Sequence, residues 1–294
     1  MKVFLTGATG YIGSAVTERL AAFGDAVSGL ARSEESARKL ERLGAAVVRG
    51  DLRDAPVIET AARQADAAIH LGFEFSTDAE AVDRAAVEAL IRGMRASGKP
   101  LIYTSGIWVL GDTAGAEADE NTPLNPAAAV VWRPGHERLV LRAEGVRGIV
   151  IRPAMVYGRG GGFAAGFARA AMEGGVAQYV GAGENRWPFV HVDDLADLYV
   201  LALQAPAGSV YFASAGPALP VREVARAAAG DRPAEAIPLE QARRAMGPMA
   251  DALVMDQAVS SRKAMRELGW NPKAKGVLEE LRLFRGQATK PQNS

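Results

Sequence analysis

Residues 6–13 read TGATGYIG, and the fold turns on how this stretch is read. Lys2–Thr6 before it is a short apolar run. After it, Ile12, Ala15, Val16, Leu20 and Phe23 fall at helical spacing, and the pattern stops at Gly24. The three glycines therefore lie between a strand and a helix. Gly7 allows a tight exit from the strand, Gly10 lets backbone approach a pyrophosphate with no Cβ in the way, and Gly13 allows close helix–strand packing. The helix start supplies free N–H groups and the positive end of its dipole. The alternative is a purely structural tight turn, but the strand before and the amphipathic helix after favour dinucleotide binding.

The same alternation continues outward from the turn. Strands are expected at Ala26–Leu30, Ala45–Arg49, Asp66–Leu71, Leu101–Thr104 and Gly148–Ile151, with helices at Glu34–Leu43 and Ala55–Arg63. A capping box, Thr77-Asp-Ala-Glu80, is expected to open a long helix reaching about Ala96. Such alternation predicts a parallel sheet with helices on both faces. The pattern loosens after residue 157. Helices are expected at Phe163–Glu173, Leu195–Leu203, Val221–Ala229 and Ala264–Leu268, and short strands at Gln178–Val180, Val190–Val192 and Val210–Phe212. We read residues 1–157 as the dinucleotide-binding domain and 158–294 as sheet completion plus a smaller C-terminal substrate lobe. The polar tail, Gly286–Ser294, is expected to fray.

Composition narrows the function classes. The chain has 294 residues, 49% of them hydrophobic, enough for a full core. Its 34 basic and 34 acidic residues balance, which argues against a nucleic-acid or anionic-membrane partner. There is no cysteine, which excludes disulfides and thiol chemistry and fits a cytoplasmic home. No metal site is expected.

Ordered motifs carry a resemblance. TGATGYIG is followed by Gly50-Asp51-Leu52 after the third strand and Ile69-His-Leu71-Gly72 after the fourth. Next come Tyr103-Thr-Ser-Gly-Ile-Trp-Val-Leu-Gly111, Arg152-Pro-Ala-Met-Val-Tyr-Gly158, Trp187-Pro-Phe-Val-His-Val-Asp-Asp-Leu-Ala196 and Leu268-Gly-Trp-Asn-Pro272. In this order, over almost the whole chain, they resemble the extended short-chain dehydrogenase/reductase superfamily, the NAD-dependent epimerase/dehydratase group. The resemblance implies a Rossmann-type doubly wound parallel sheet and a nicotinamide cofactor. It implies cofactor contacts from Gly7, Thr9, Gly10, Tyr11, Ile12, Gly13, Asp51, Leu52, Leu71, Gly72, Arg133 and Pro153. It also implies a homodimer through helices that include residues 77–96 and 134–144.

At the end of the second strand, where relatives that prefer NAD carry an acidic residue, this chain reads Leu30-Ala31-Arg32-Ser33. Arg32 could pair with a 2′-phosphate while Ser33 donates a hydrogen bond, so NADP is favoured over NAD. The alternative is a solvated surface arginine.

The resemblance implies catalysis by a Ser or Thr, a Tyr, and a Lys four residues after the Tyr. None of the six tyrosines is followed by lysine at that spacing, and no lysine stands between Lys99 and Lys263. Counting from Glu137 puts Ala129 and Arg133 in the Tyr and Lys places, and Gly106 takes the Ser place with Ser105 one residue before it. Arg133 keeps its charge and cannot tune an acid by giving up a proton. Pro134 favours a helix that starts nearby, leaving 127–133 as an irregular lining. Ser105 and Tyr103 remain as non-standard catalytic candidates, and Trp132, Arg186 and Trp187 as substrate contacts. His191-Val-Asp193-Asp194 reads as a strand ending in helix-capping Asp residues rather than a metal site. His136 reads as a solvated or packing histidine.

The leading expectation is an NADP-dependent oxidoreductase of the atypical branch, acting on a small carbonyl or hydroxyl substrate by hydride transfer with a non-standard proton donor. One alternative is a non-catalytic dinucleotide-binding or redox-sensing protein. A weaker one is a sugar-nucleotide epimerase/dehydratase, which would need acid–base groups that we do not find.

Overall fold

The computed structural model describes residues 1–74 and 76–288. The expected tail therefore lies outside the described residues from 289 onward. Five strands, β1 Lys2–Thr6, β2 Ala26–Ala31, β3 Ala46–Arg49, β4 Ala67–His70 and β5 Pro100–Thr104, join strands Arg147–Pro153 and Ser209–Ala213 in one seven-stranded sheet. Its order is Ser209–Ala213, Arg147–Pro153, β5, β4, β1, β2, β3, and every pairing is parallel. This is the Rossmann-type α/β sheet expected from the sequence. Strand Ser209–Ala213 enters its edge from beyond residue 157.

Strand parity divides the core. Val3 and Leu5 of β1, Ile69 of β4, Ile102 of β5 and Ile149 and Ile151 pack on one face. That face meets helix α1 (Tyr11–Ala22), helix α2 (Glu34–Arg42) and a later helix, Val192–Ala202. Phe4, Ala68, Leu101, Tyr103 and Val150 point the other way. They meet α3 (Ala55–Gln64), α4 (Ala79–Met94) and α5 (Arg133–Leu141). Side chains in a strand alternate faces, and both faces are covered, which is why these strands read as continuous apolar runs. A separate core built on Met155, Tyr157, Ala164, Ala168, Trp187, Phe189, Val221, Val224 and Leu281 makes the C-terminal lobe.

Two local expectations need correction. Helix α4 opens at Ala79 with no side-chain cap, so Thr77 and Glu80 make no capping box. At the Val192–Ala202 helix, His191 does the capping, its Nδ1 accepting from Asp193 N–H at 3.2 Å. Asp193 instead pairs with Arg159 at 2.7 Å. Asp194 accepts from Lys273 and Ala274 N–H at 2.8 and 3.1 Å, pinning the loop that ends the sequence motif at Pro272. Pro134 falls in the first turn of α5 after a 3₁₀ turn at Ala128–Val130, so 127–132 is irregular as expected. Among the described residues no helix is long and apolar enough to cross a membrane, and no cluster of His, Cys, Asp and Glu could hold a metal ion.

Candidate functional site

In an open parallel sheet, ligands bind outside the carboxyl ends of the strands. Here a cleft of about 460 Å³ lies along those ends. Gly7, Thr9, Gly10, Tyr11, Ile12 and Gly13 line it after β1, Arg32 after β2, Asp51 and Leu52 after β3, and Leu71 and Gly72 after β4. The turn is held internally by Gly10 N–H donating to Gly7 O at 2.9 Å and by Lys39 Nζ donating to Thr9 O at 2.7 Å. Helix α1 begins with no side-chain cap and no acidic residue in its first turn. Its first N–H groups and dipole are therefore available to an anion. A Cβ on Gly13 would fall on Gly7 O, and one on Gly7 would reach Leu71 and Gly72 backbone at 2.6 Å. A Cβ on Gly10 would press only on Gly7 O, at 3.2 Å, and Gly10 lines the cleft. These residues fit a dinucleotide.

The family model of the NAD dependent epimerase/dehydratase family matches residues 3–212. The chain belongs to that family. Its relatives include an uncharacterized protein of Saccharomyces cerevisiae, 34% identical over 96% of this chain and 98% of the relative. The 4-hydroxy-2-methyl-3-oxo-4-farnesyl-3,4-dihydroquinoline-1-oxide ketoreductase of Stigmatella aurantiaca is 28% identical over 92% of each. Among solved structures, the Thermus thermophilus UDP-glucose 4-epimerase in complex with NAD superposes with a TM-score of 0.79, at 25% identity, over 97% of this chain and 99% of that one.

The family's remaining site positions take varied places here. Arg32 is exposed at the cleft, and its charge is felt at Glu74 across it. Ser33 does not line the cleft, since its hydroxyl caps α2, accepting from Ser36 N–H at 3.2 Å. Ser36 does line it. Pro153 is buried within its strand opposite Ala213 and is not part of the cleft wall. Arg133 donates to Thr104 O at 2.9 Å, and its guanidinium lies between the rings of Trp132 and Phe73, at 4.7 and 5.3 Å. Phe73 lines the cleft, so Arg133 sits behind the wall rather than in it. Half-buried Trp132 packs on the His136 ring at 4.8 Å.

Tyr103 does not suit a catalytic role. Its side chain is fully buried, and its hydroxyl donates to Asp83 at 2.9 Å. Burial and the Asp83 charge push its pKa well above the ordinary tyrosine value. Ser105 differs from it. At the carboxyl end of β5, its hydroxyl is buried and has no hydrogen-bond partner among the described residues. Buried hydroxyls seldom stay unpartnered, so this one has bonding capacity left for a water or a ligand, although Ser105 does not itself line the cleft. Arg186 forms a bidentate pair with Asp256 at 2.9 and 2.7 Å, and the Trp187 indole donates to Leu253 O at 3.3 Å.

A buried polar row behind the cleft escaped the sequence reading. The strand register aligns Thr6, His70 and Tyr103 on one face, under Asp83 of α4. Gly72 N–H donates to Thr6 Oγ1 at 3.1 Å, and Thr6 bonds His70 Nδ1 at 2.7 Å. His70 Nε2 meets Asp83 Oδ1 at 3.2 Å, and His136 Nδ1 meets Asp83 Oδ2 at 2.7 Å. With Thr6 accepting from Gly72, its own proton goes to His70 Nδ1, which leaves a proton on Nε2 for Asp83. Burial pushes the Asp83 carboxyl up, yet the hydrogen bonds from His136 and His70, with the charge of Arg133, hold it well below the usual carboxylate range. His136 is thus neither solvated nor a general acid facing the cleft. Nearby, buried Arg152 and Glu137 form a bidentate pair at 3.0 and 2.6 Å, which accounts for the glutamate that made this helix recognisable.

Proposed function

We propose that this protein is an NADP-dependent reductase of a small uncharged carbonyl compound, acting without the Ser/Tyr/Lys triad. The observation that carries the reading is the cleft at the strand ends, where the glycine turn, the uncapped start of α1 and Arg32 converge. The nicotinamide group, when bound, supplies or accepts the hydride. Gly10 and the α1 N-terminus would hold the pyrophosphate, and Arg32 with Ser36 the adenosine 2′-phosphate. Asp51 and Leu52 would flank the adenine. The Asp51 carboxylate also shapes this loop by accepting from Arg53 N–H at 3.0 Å.

Ser105 would orient the substrate oxygen with its free hydroxyl, and the proton would come from water. Arg133 would not replace the missing lysine as a tuner of acidity; its charge steadies the β5 end beside Phe73. The ketoreductase relative supports a carbonyl substrate, and Ala129 and Gly106 explain why a family acid–base mechanism is not assigned.

Absorbance at the nicotinamide band, with NADPH or NADH and a panel of carbonyl compounds, tests this reading. Turnover is expected with NADPH. The Ser105→Ala variant should lose about tenfold or more in kcat with unchanged cofactor affinity, within the range of lost oxyanion contacts. The Arg32→Ala variant should weaken NADPH by about tenfold and leave NADH unaffected, as for a lost charge-assisted hydrogen bond. Tight dinucleotide binding with no turnover on any compound would instead support the sensor reading.

A further inference from the structure

The C-terminal lobe contains a second cavity, of about 580 Å³, between helix Gly162–Gly174 and strand Ala177–Val180. Phe163, Phe167, Trp187, Val221, Ile237 and Leu253 supply most of its wall. Among the described residues that line it, Gln178 and Tyr179 bring polar groups in addition to the Trp187 indole N–H, and none is charged. Trp187 stacks on Phe167 with centroids 6.1 Å apart and planes at 11°, and meets Phe163 edge-on at 6.1 Å. With the indole N–H bonded to Leu253 O, the rest of that ring is an apolar surface. At the cavity's edge Phe163 and Met246 are 43% and 41% exposed, large apolar side chains left in water.

Two links join this cavity to the cofactor cleft. Phe163 meets Trp108, in the turn just after Ser105 and Gly106, with ring centroids 6.2 Å apart. Gly161 packs against the ring of Tyr11, leaving no room for a Cβ, and Tyr11 lines the cleft. The Tyr11 hydroxyl also donates to Gly158 O at 2.8 Å.

We infer that this cavity binds the non-reacting part of the substrate, and that this part is an uncharged aromatic ring or alkyl chain rather than a nucleoside diphosphate. The substrate role rests on the reductase reading above, whereas the binding chemistry follows from the walls. A diphosphate buried here would meet no cation, and an unpaired buried charge is costly. Among the described residues no arginine lines it, and of those on adjoining segments Arg186 pairs with Asp256, Arg222 with Glu184, Arg243 with Glu240 and Asp251, while Arg169 donates to Gly160 O. The volume lies in the range of small-molecule sites, about 300–1,000 Å³. An apolar guest would also cover Phe163 and Met246, removing their surface from water.

Gly166 provides the probe. It lines the cavity within a helix, and a Cβ there meets nothing within 4 Å. A Gly166→Leu side chain would occupy the cavity without a backbone clash, and loss of a helical glycine does not weaken the helix.

Tryptophan fluorescence of the full chain should be titrated with methyl n-alkyl ketones, from methyl ethyl to methyl nonyl, with phenylacetone, and with UDP-glucose. Affinity is expected to rise about fourfold per added methylene until the cavity fills, following ~0.8 kcal/mol per buried CH₂. Gly166→Leu should flatten this series and weaken methyl nonyl ketone by at least about tenfold, with unchanged thermal midpoint and NADPH affinity. A series without length dependence, one untouched by Gly166→Leu, or UDP-glucose binding as tightly as the longest ketone would overturn the inference. Length-dependent binding with no NADPH oxidation would uphold the cavity and sink the reductase reading. NADPH oxidation without length dependence would do the reverse.

Discussion

At the glycine turn the wall of the site is backbone, whereas in the lobe cavity it is side chain. Gly7 and Gly13 are fixed by neighbouring main-chain atoms, and Gly10 leaves the main chain bare toward the cleft. Phe163, Phe167, Trp187, Val221 and Leu253 come from separated segments and define the cavity by size and polarity alone. Backbone requirements are local and admit few residue types. Side-chain walls accept any apolar set of fitting volume. The first wall therefore admits little variation, while the second is free to specify what is bound.

If the turn really is fixed by main chain, the sharpest way to break the comparison is Gly13→Ala. The added Cβ lands on the Gly7 carbonyl and beside Ala8 Cα, and neither can move without disturbing β1 and its turn. A loss of about 3 kcal/mol is expected, at the upper end for overpacking. Chemical denaturation measures it, and a loss below about 1 kcal/mol would show that the turn yields.

This contrast also explains what could be read from sequence. The parallel sheet, the glycine turn, Arg32, Asp51 and Gly72 are visible because each is set by its own few residues and a strand end. Ser33, Pro153 and Tyr103 lie off the cleft wall because their positions depend on partners elsewhere: Ser36, the Ala213 strand and Asp83. The polar row was within reach, since Thr6, His70 and Tyr103 each lie at or next to a strand's last residue. Asp83 was not, because on α4 it reads as an ordinary polar position. Of the lobe cavity's lining the sequence singles out Trp187 as a substrate contact, while Phe163 and Phe167 are indistinguishable from core.

Asp83 tests the boundary between the two kinds of wall, since this side chain braces the backbone of Gly72 through His70 and Thr6. Asp83→Asn places an amide among donors from Tyr103, His70 and His136, and about 2 kcal/mol should be lost with them imperfectly paired. The carboxyl is held below its ordinary pKa, so its stabilising contribution is complete above the unfolded value, ~3.9, and fades as pH falls below it toward the folded value. Wild-type stability should therefore fall more steeply than that of Asp83→Asn as the pH drops below about 4. Parallel acid limbs in denaturation curves would remove Asp83 from this role.

The smallest expected effect separates folding from binding at the turn. A methyl group on Gly10 would press on Gly7 O alone, at 3.2 Å, a far milder contact than the overlaps at Gly7 and Gly13, and Gly10 lines the cleft. Gly10→Ala should lower stability far less than Gly13→Ala, yet set a methyl group where the pyrophosphate approaches the start of α1. We expect dinucleotide affinity to fall about tenfold, equivalent to ~1.4 kcal/mol, measured by calorimetric titration with NADPH and NADH. The loss should be the same for both, because the methyl group acts at the shared pyrophosphate and not at the 2′-phosphate near Arg32. A loss confined to NADPH would place the turn nearer the adenosine ribose. A loss of fold stability matching that of Gly13→Ala would mean that all three glycines serve the turn itself, leaving none of them to the ligand.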